Sequence, residues 1–153
     1  MVIRASDVLR KQLTYDMLRP NEIQFIIVYN LMPEGAQSYA VDATGTKFTG
    51  SYRLRVTDEF KKHLKAAYLQ ADASSDVTDA TIRIHVVDAS SGSSVAYLEI
   101  SSGSGFTESD DISSVLEAGK DYYIQIEVVT ASATSGATAT THFVCLRCVF
   151  GVS

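Results

Sequence analysis

The chain has 153 residues, of which 46% are hydrophobic and 20% are charged, and its formal net charge is -5. This size and composition are typical of one globular domain and exclude a disordered chain. The negative charge argues against nucleic acid and against an anionic membrane surface as partners, because both attract basic proteins.

The first segment, residues 1–20, is predicted to form a helical arm. Within it, residues 6–19 place Leu9, Leu13 and Met17 at i, i+4 and i+8, which gives one apolar stripe. We expect this stripe to cover an edge of a sheet or to contact a second subunit. The charged start of the arm argues against a signal peptide. No later run approaches the ~20 apolar residues that a membrane span requires, and the compartment stays unknown.

Residues 21–153 are predicted to form an antiparallel two-sheet β-sandwich of jelly-roll type, so that residues 1–153 make one domain. Short segments of alternating apolar and polar residues, separated by turn residues, are the basis for this prediction. The early elements are strands at 22–32, 38–43, 47–56 and 67–71 and a short helix near 58–66. The first of these strands is apolar on both faces, and such a strand is normally covered on both faces.

A repeat lies in the second half of the chain. The segment IRIHVVDAS at residues 82–90 recurs as IQIEVVTAS at residues 124–132. Each copy is followed by a polar stretch and a second apolar run, which predicts two similar β-hairpins. The first hairpin would end near residue 100, and the second would pair residues 122–128 with 144–150. A long polar crossing is expected between the two hairpins.

His142, Cys145 and Cys148 form a Cys-x-x-Cys cluster with a nearby histidine. On a strand, Cys145 would point away from His142 and Cys148, because successive side chains alternate between faces. We therefore expect buried, inert cysteines without a disulfide, since their Cα atoms would lie about 10 Å apart. An intermolecular or metal-binding role and a redox pair are the alternatives.

Two loops are rich in acidic residues, and calcium takes oxygen ligands from loops of this kind. Neither loop has the spacing of a dedicated calcium site, so solvated loops are expected and calcium is the alternative. No nucleophile elbow, phosphate loop or catalytic triad is visible, and no enzyme activity, metal or cofactor is predicted. The acidic residues are Asp72, Asp76, Asp79, Glu108, Asp110 and Asp111.

Polar and aromatic side chains alternate with the core residues of the repeat and would project together if the hairpins share a sheet. Rings that stack on sugars, beside groups that bond hydroxyls, are typical of a glycan site. The same residues fit an ordinary solvated sheet or a protein contact, and the absence of tryptophan weakens the sugar interpretation. The candidate ligand-binding residues are Arg83, His85, Tyr97, Glu99, Tyr123 and Gln125.

Two strands, near 25–28 and 143–150, are apolar on both faces, and a single sandwich leaves its outer faces wet. The sequence therefore predicts a non-enzymatic structural or interaction subunit that forms a homo-oligomer, such as a coat, fibre or scaffold component. The alternative is a carbohydrate-binding module of jelly-roll type, with a glycan as its partner. The expected subunit contacts are Leu9, Leu13, Met17, Phe143, Cys145 and Val149.

Overall fold

The computed structural model describes residues 24–32, 37–41, 46–101, 105–131 and 136–151. The predicted helical arm lies outside the described residues. The strands are β1 (Gln24–Asn30), β2 (Gln37–Ala40), β3 (Thr46–Arg55), β4 (Leu64–Ser75), β5 (Thr81–Asp88), β6 (Ser94–Ser101), β7 (Gly105–Glu108), β8 (Asp121–Val129) and β9 (Thr138–Gly151). Helix α1 (Asp58–His63) and a 3₁₀ turn (Ser113–Val115) connect them.

The strands form two antiparallel sheets. Sheet A has the order β1-β9-β4-β7, with β2 also paired to β9, and sheet B has the order β3-β8-β5-β6. If β2 is set aside, the pairs β1·β9, β3·β8, β4·β7 and β5·β6 join the first strand to the last, the second to the seventh, the third to the sixth and the fourth to the fifth. A long hairpin wrapped around a barrel axis gives this order, which is that of a jelly roll. The predicted fold class is confirmed.

The two copies of the repeat are neighbours in sheet B. They lie in β5 and β8, with Ile84 opposite Ile126. The hairpin β5–β6 forms as predicted, with Ile84 opposite Leu98. The prediction of a second hairpin, between residues 122–128 and 144–150, was wrong. β8 pairs with β3 and β5, whereas β9 lies in sheet A. Alternation shows which side chains face the core, but it does not show which strand is the neighbour.

One apolar core joins both sheets. Sheet A contributes small side chains from β4, of which Ala67, Ala71 and Ala73 are 0% exposed. Sheet B contributes branched side chains, including Ile82 and Ile126, which are also 0% exposed. Burying one branched side chain of this size contributes roughly 1.5–3 kcal/mol, so this core makes a large contribution to holding the two sheets together.

Helix α1 is shorter than predicted. The side chain of Thr57 caps its start and accepts a hydrogen bond from the Phe60 amide at 3.1 Å. The helix ends at His63, and Leu64 already has extended backbone angles. Strand β4 begins there, three residues earlier than predicted, because Leu64 already pairs with Phe150, and a register shift separates this pair from Ala66 and the regular part of the strand.

A bulge interrupts the alternation of β9. Asp72 opposes Phe143, whereas Ala73 opposes Thr141, so His142 is an extra residue in the strand. His142 is therefore exposed and does not share the inner face with Cys148, contrary to the prediction. A bulge of this kind changes the inward positions from odd to even numbers, and no feature of the surrounding sequence marks it.

Candidate functional site

The outer face of sheet A carries the described part of the predicted subunit contact. Phe143, Cys145 and Val149 alternate along β9 with the buried side chains of Val144 and Leu146. Phe143 is 37% exposed, Val149 is half-buried and Cys145 is 8% exposed. These three residues share one face, as predicted, whereas Leu9, Leu13 and Met17 lie outside the described residues.

Strand β1 forms one edge of sheet A and is exposed over most of its length. Phe25, Ile26, Ile27 and Val28 are 57%, 64%, 43% and 56% exposed. Since successive side chains point to opposite faces, both faces of this strand are open. The described part of the chain therefore does not cover the strand, although its sequence is that of a strand buried on both faces.

A polar network lies at the centre of the outer face of sheet A. Arg147 donates two hydrogen bonds to the Glu108 carboxylate, at 3.0 and 3.1 Å, and its guanidinium lies 4.2 Å from the centre of the Tyr68 ring. Gln70 donates to Glu108 and accepts a hydrogen bond from the Cys145 thiol at 3.5 Å. These groups pair across β9, β4 and β7, so they hold the middle of sheet A together.

A second apolar patch lies beyond this network, towards the β7 edge. The rings of Phe106 and Phe143 have centroids 6.0 Å apart, on either side of Asp72 in the strand register. Phe106 is 58% exposed. Sheet A therefore has apolar surface near both of its edges and a polar centre.

The two cysteines are free thiols on opposite faces of β9, as predicted. Cys148 lies in the core, and burial raises its pKa to about 12. Burial also raises the pKa of Cys145, with a lowering influence from Arg147 and a raising influence from Glu108. A thiol with a raised pKa is a poor nucleophile at neutral pH, so this segment has no feature of a redox site.

The outer face of sheet B brings together all six residues of the predicted ligand-binding set. Arg83 lies opposite Glu99, and His85 lies between Tyr97 and Gln125. Tyr123 projects from the same face of β8, beside the Arg53 guanidinium, which lies 6.0 Å from its ring centre. Tyr97 is 55% exposed and its ring lies 5.8 Å from the His85 ring.

The polar groups of this face are bonded largely to one another. Arg83 donates to Glu99 at 2.6 Å, and this hydrogen bond raises the Arg83 pKa above its usual range. The His85 Nε2 lies 2.8 Å from Glu127, and its Nδ1 lies 2.9 Å from the Ser94 hydroxyl. The side chains of His85 and Glu127 are 12% and 16% exposed.

Ser94, His85 and Glu127 thus form a hydroxyl–imidazole–carboxylate chain. Glu127 alternates with the core residues of β8 on the predicted outer face, whereas Ser94 was missing from the prediction because it could not be distinguished within its serine-rich turn. This order of groups occurs in hydrolases. Here the Ser94 hydroxyl also donates to the Ala96 carbonyl at 3.2 Å, and the chain links β6, β5 and β8 across the sheet. These hydrogen bonds therefore stabilise sheet B by joining three of its strands.

The acidic loops anchor backbone amides. Asp76 accepts a hydrogen bond from the Thr138 amide at 2.7 Å, and Asp79 accepts one from the Ala131 amide at 2.9 Å. Asp111 accepts one from the Ala67 amide at 2.9 Å. Over the described ranges, no group of three or more His, Cys, Asp or Glu side chains is arranged to hold a metal ion. The helices of the described residues are also too short or too polar to cross a bilayer.

No protein-family model matches the chain, and no curated protein matches it. Among solved structures, it is similar to the infectious bursal disease virus VP2 subviral particle, with a TM-score of 0.47 and 10% identity over 88% of this chain and 39% of that chain. The infectious bursal disease virus Gx strain gives a TM-score of 0.46 and 10% identity over 88% and 38%.

A family two carbohydrate esterase from Cellvibrio japonicus gives a TM-score of 0.29 and 8% identity, over 86% of this chain and 35% of that chain. The chain spans less than two-fifths of the length of each of these three structures. At such identities the likeness concerns the fold alone.

Proposed function

We propose that this chain is a non-enzymatic structural subunit that self-associates, as a component of a coat, fibre or scaffold. The observation that carries the proposal is the exposure of four consecutive large apolar side chains on β1, from Phe25 to Val28. An exposed apolar edge strand presents both unpaired backbone groups and apolar surface, and it is a template for pairing with another chain.

The apolar surface at β1 supplies part of the free energy that association needs. Burying a large apolar side chain completely contributes about 1.5–3 kcal/mol. About half of each of the four side chains is still exposed, so each has roughly 1 kcal/mol left to contribute. Association loses several kcal/mol of translational and rotational freedom, and β1 therefore needs added contacts to give a stable interface.

The Phe106–Phe143 patch supplies a second contact surface. Sheet A places β1 and β7 at opposite edges, so this patch and the β1 edge face different neighbours. A subunit with two separate contact surfaces can form assemblies larger than a dimer. This arrangement supports a coat or fibre component over a simple dimeric protein.

Sedimentation velocity of the full chain over micromolar concentrations tests the proposal. We expect species larger than a dimer, and Phe106→Lys should reduce these to smaller oligomers. Tyr97→Lys is the matched control, because Tyr97 is equally exposed but lies on sheet B. A wild-type chain that stays monomeric throughout would refute self-association.

A second candidate is a carbohydrate-binding module of jelly-roll type. The observation in its favour is that Arg83, His85, Tyr97 and their neighbours lie together on the outer face of sheet B. Tyr97 presents an exposed ring, while Arg83 and Glu99 can bond hydroxyl groups at its side. The mutual bonding of these polar groups counts against it, since a ligand would have to replace those bonds.

A glycan array separates the two candidates. Binding that is lost in Tyr97→Ala, but kept in Tyr52→Ala, would support the sugar site, because Tyr52 is a comparably exposed tyrosine on β3. A blank array with the wild-type chain would remove this candidate.

A further inference from the structure

The free edge of β1 differs from the other sheet edges. Among the described strands, β1 pairs with β9 on one side and with no strand on the other. Its seven residues pair with β9 without a register shift and contain no charge, proline or bulge. Charges, prolines and bulges are the features with which edge strands normally prevent pairing with other chains.

The remaining edges carry such features. β3 has a register irregularity and two arginines, Arg53 and Arg55. β6 carries Glu99, and β7 carries Glu108 and has only four residues. β2 is also uncharged, but it too is only four residues long. A regular strand about 23 Å long with no charge is found only in β1 among these described edges.

We propose that β1 pairs antiparallel with β1 of a second copy, about a two-fold axis through Ile27; this inference rests on the proposed function. The two copies of sheet A would then form one continuous sheet. A C₂ interface uses the same surface on both subunits, so a strand that matches itself can form the centre of such an interface.

The register follows from the sequence of the strand. With Ile27 opposite Ile27, all seven residues are paired, and Ile26 lies opposite Val28. Phe25 then lies opposite Tyr29, and the amides of Gln24 and Asn30 meet at the ends. A shift by two residues in either direction would leave apolar residues unpaired at both ends.

Both faces of the joined strands match in this register. One face of β1 carries Phe25, Ile27 and Tyr29. On this face the centroids of the Tyr29 and Phe60 rings are 5.8 Å apart. Ile26 and Val28 share the outer face with Val149. Directly opposite residues of an antiparallel pair lie on the same face, so aromatic residues meet aromatic residues and branched residues meet branched ones.

Symmetric disulfide trapping of the full chain tests this register. Opposite residues have Cα atoms about 4.5–5.5 Å apart, within the range of a disulfide. Ile27→Cys should therefore form a covalent dimer under oxidised glutathione. In Ile26→Cys the two cysteines would lie about 8 Å apart, displaced by two residues, and should not be bridged.

We expect at least tenfold more covalent dimer for Ile27→Cys than for Ile26→Cys on non-reducing gels. Random collision would give the opposite order, because Ile26 is 64% exposed and Ile27 is 43% exposed. The double variant Ile26→Cys/Val28→Cys should cross-link again, since these positions face each other. The wild-type chain, with Cys145 and Cys148 buried, supplies the background.

Sedimentation of the same proteins under reducing conditions separates the two proposals. If the chains associate but Ile26→Cys cross-links as well as Ile27→Cys, the two-fold β1 pairing is overturned and self-association stands. If the reduced chains are monomeric, self-association fails and the β1 pairing fails with it.

Discussion

The outer face of sheet B and the β1 edge of sheet A are both exposed surfaces, but they differ in whether their side chains and backbone groups have partners within the chain. On sheet B, the polar side chains bond to their cross-strand neighbours, as Arg83 does to Glu99 and His85 does to Glu127. On β1, four apolar side chains from Phe25 to Val28 are exposed, and one backbone edge is unpaired among the described strands. The polar groups of the first surface are bonded within one chain, whereas the described strands leave the outer edge of β1 open to another strand.

Under the proposed β1 pairing, this difference separates residues that stabilise the fold from residues that would stabilise an assembly. A substitution on sheet B or in the core should change the free energy of unfolding of one chain. A substitution on β1 should leave that free energy nearly unchanged and should alter the association constant. The two quantities are measured independently, the first by denaturation and the second by sedimentation.

The largest effect is expected for Ile27→Lys. In the proposed β1 pairing, the two-fold axis would bring the two lysines together, and directly opposed like charges destabilise a strand pair. We expect the dimer dissociation constant to rise at least ~100-fold, which corresponds to about 3 kcal/mol. Sedimentation equilibrium measures this constant, and urea denaturation should show a monomer stability within ~0.5 kcal/mol of wild type. Unchanged association would exclude Ile27 from the interface.

The sequence predicted the two-sheet sandwich because the inward positions alternate throughout β8 and over most of β5 and β6, and period-two alternation is a local property. Strand neighbours are not local, which is why the pairing of β8 and β9 was wrong. The bulge at His142 was also missed, since it depends on the register against β4. The hydrogen-bonding partners of His85 required the strand order, because Glu127 comes from β8 and Ser94 from β6.

The exposure of β1 could not be predicted either. The strand is apolar on both faces, and this pattern indicates cover without showing which element provides it. Phe143 and Cys145 were correctly placed on one outer face, because alternation determines faces. Their partners Phe106 and Gln70 come from β7 and β4, which are distant in sequence.

The two cysteines give a matched pair of inner and outer substitutions on β9. Cys148→Ser buries a hydroxyl among apolar side chains and should lower the free energy of unfolding by about 1–3 kcal/mol. Cys145→Ser should lower it by less than ~1 kcal/mol, because the hydroxyl can donate to Gln70 as the thiol does. Equal losses in urea denaturation would contradict the assignment of Cys148 to the core and Cys145 to the outer face.

His85→Ala tests whether the histidine on sheet B stabilises the sheet. The substitution removes the partner of the Glu127 carboxylate, which is 16% exposed, and should lower the free energy of unfolding by about 1 kcal/mol. Tyr97→Ala, on the neighbouring strand, is the control for loss of ring contact alone. Neither variant should change the sedimentation profile. If the His85→Ala variant is folded but no longer forms oligomers, the subunit interface lies on sheet B and not on β1.

The smallest effect concerns the acid stability of the β5 end of sheet B. The Ser90 side chain, the Ser90 amide and Lys120 all donate to the Asp88 carboxylate, at 2.6, 2.8 and 3.0 Å, and they hold its pKa well below the ordinary value of 3.8. Because the folded pKa is the lower one, the unfolded chain binds the proton more readily. This contribution to stability is present above pH 3.8 and is lost as the pH falls towards the folded pKa.

We therefore expect the free energy of unfolding of the wild-type chain to fall as the pH is lowered below 3.8. Ser90→Ala removes the strongest of these donors and should raise the Asp88 pKa towards its ordinary value. The fall of the free energy of unfolding below pH 3.8, here called the acid limb, should then be less steep. Ser91→Ala is the control, since the Ser91 hydroxyl accepts from the Ser93 amide, whereas the Asp88 carboxylate accepts from Ser90 and Lys120. Urea denaturation at a series of pH values measures the slope. An acid limb that is equally steep in Ser90→Ala and in the wild type would show that Asp88 does not govern it. Self-association should be unaffected in either serine variant, because Asp88 lies on sheet B.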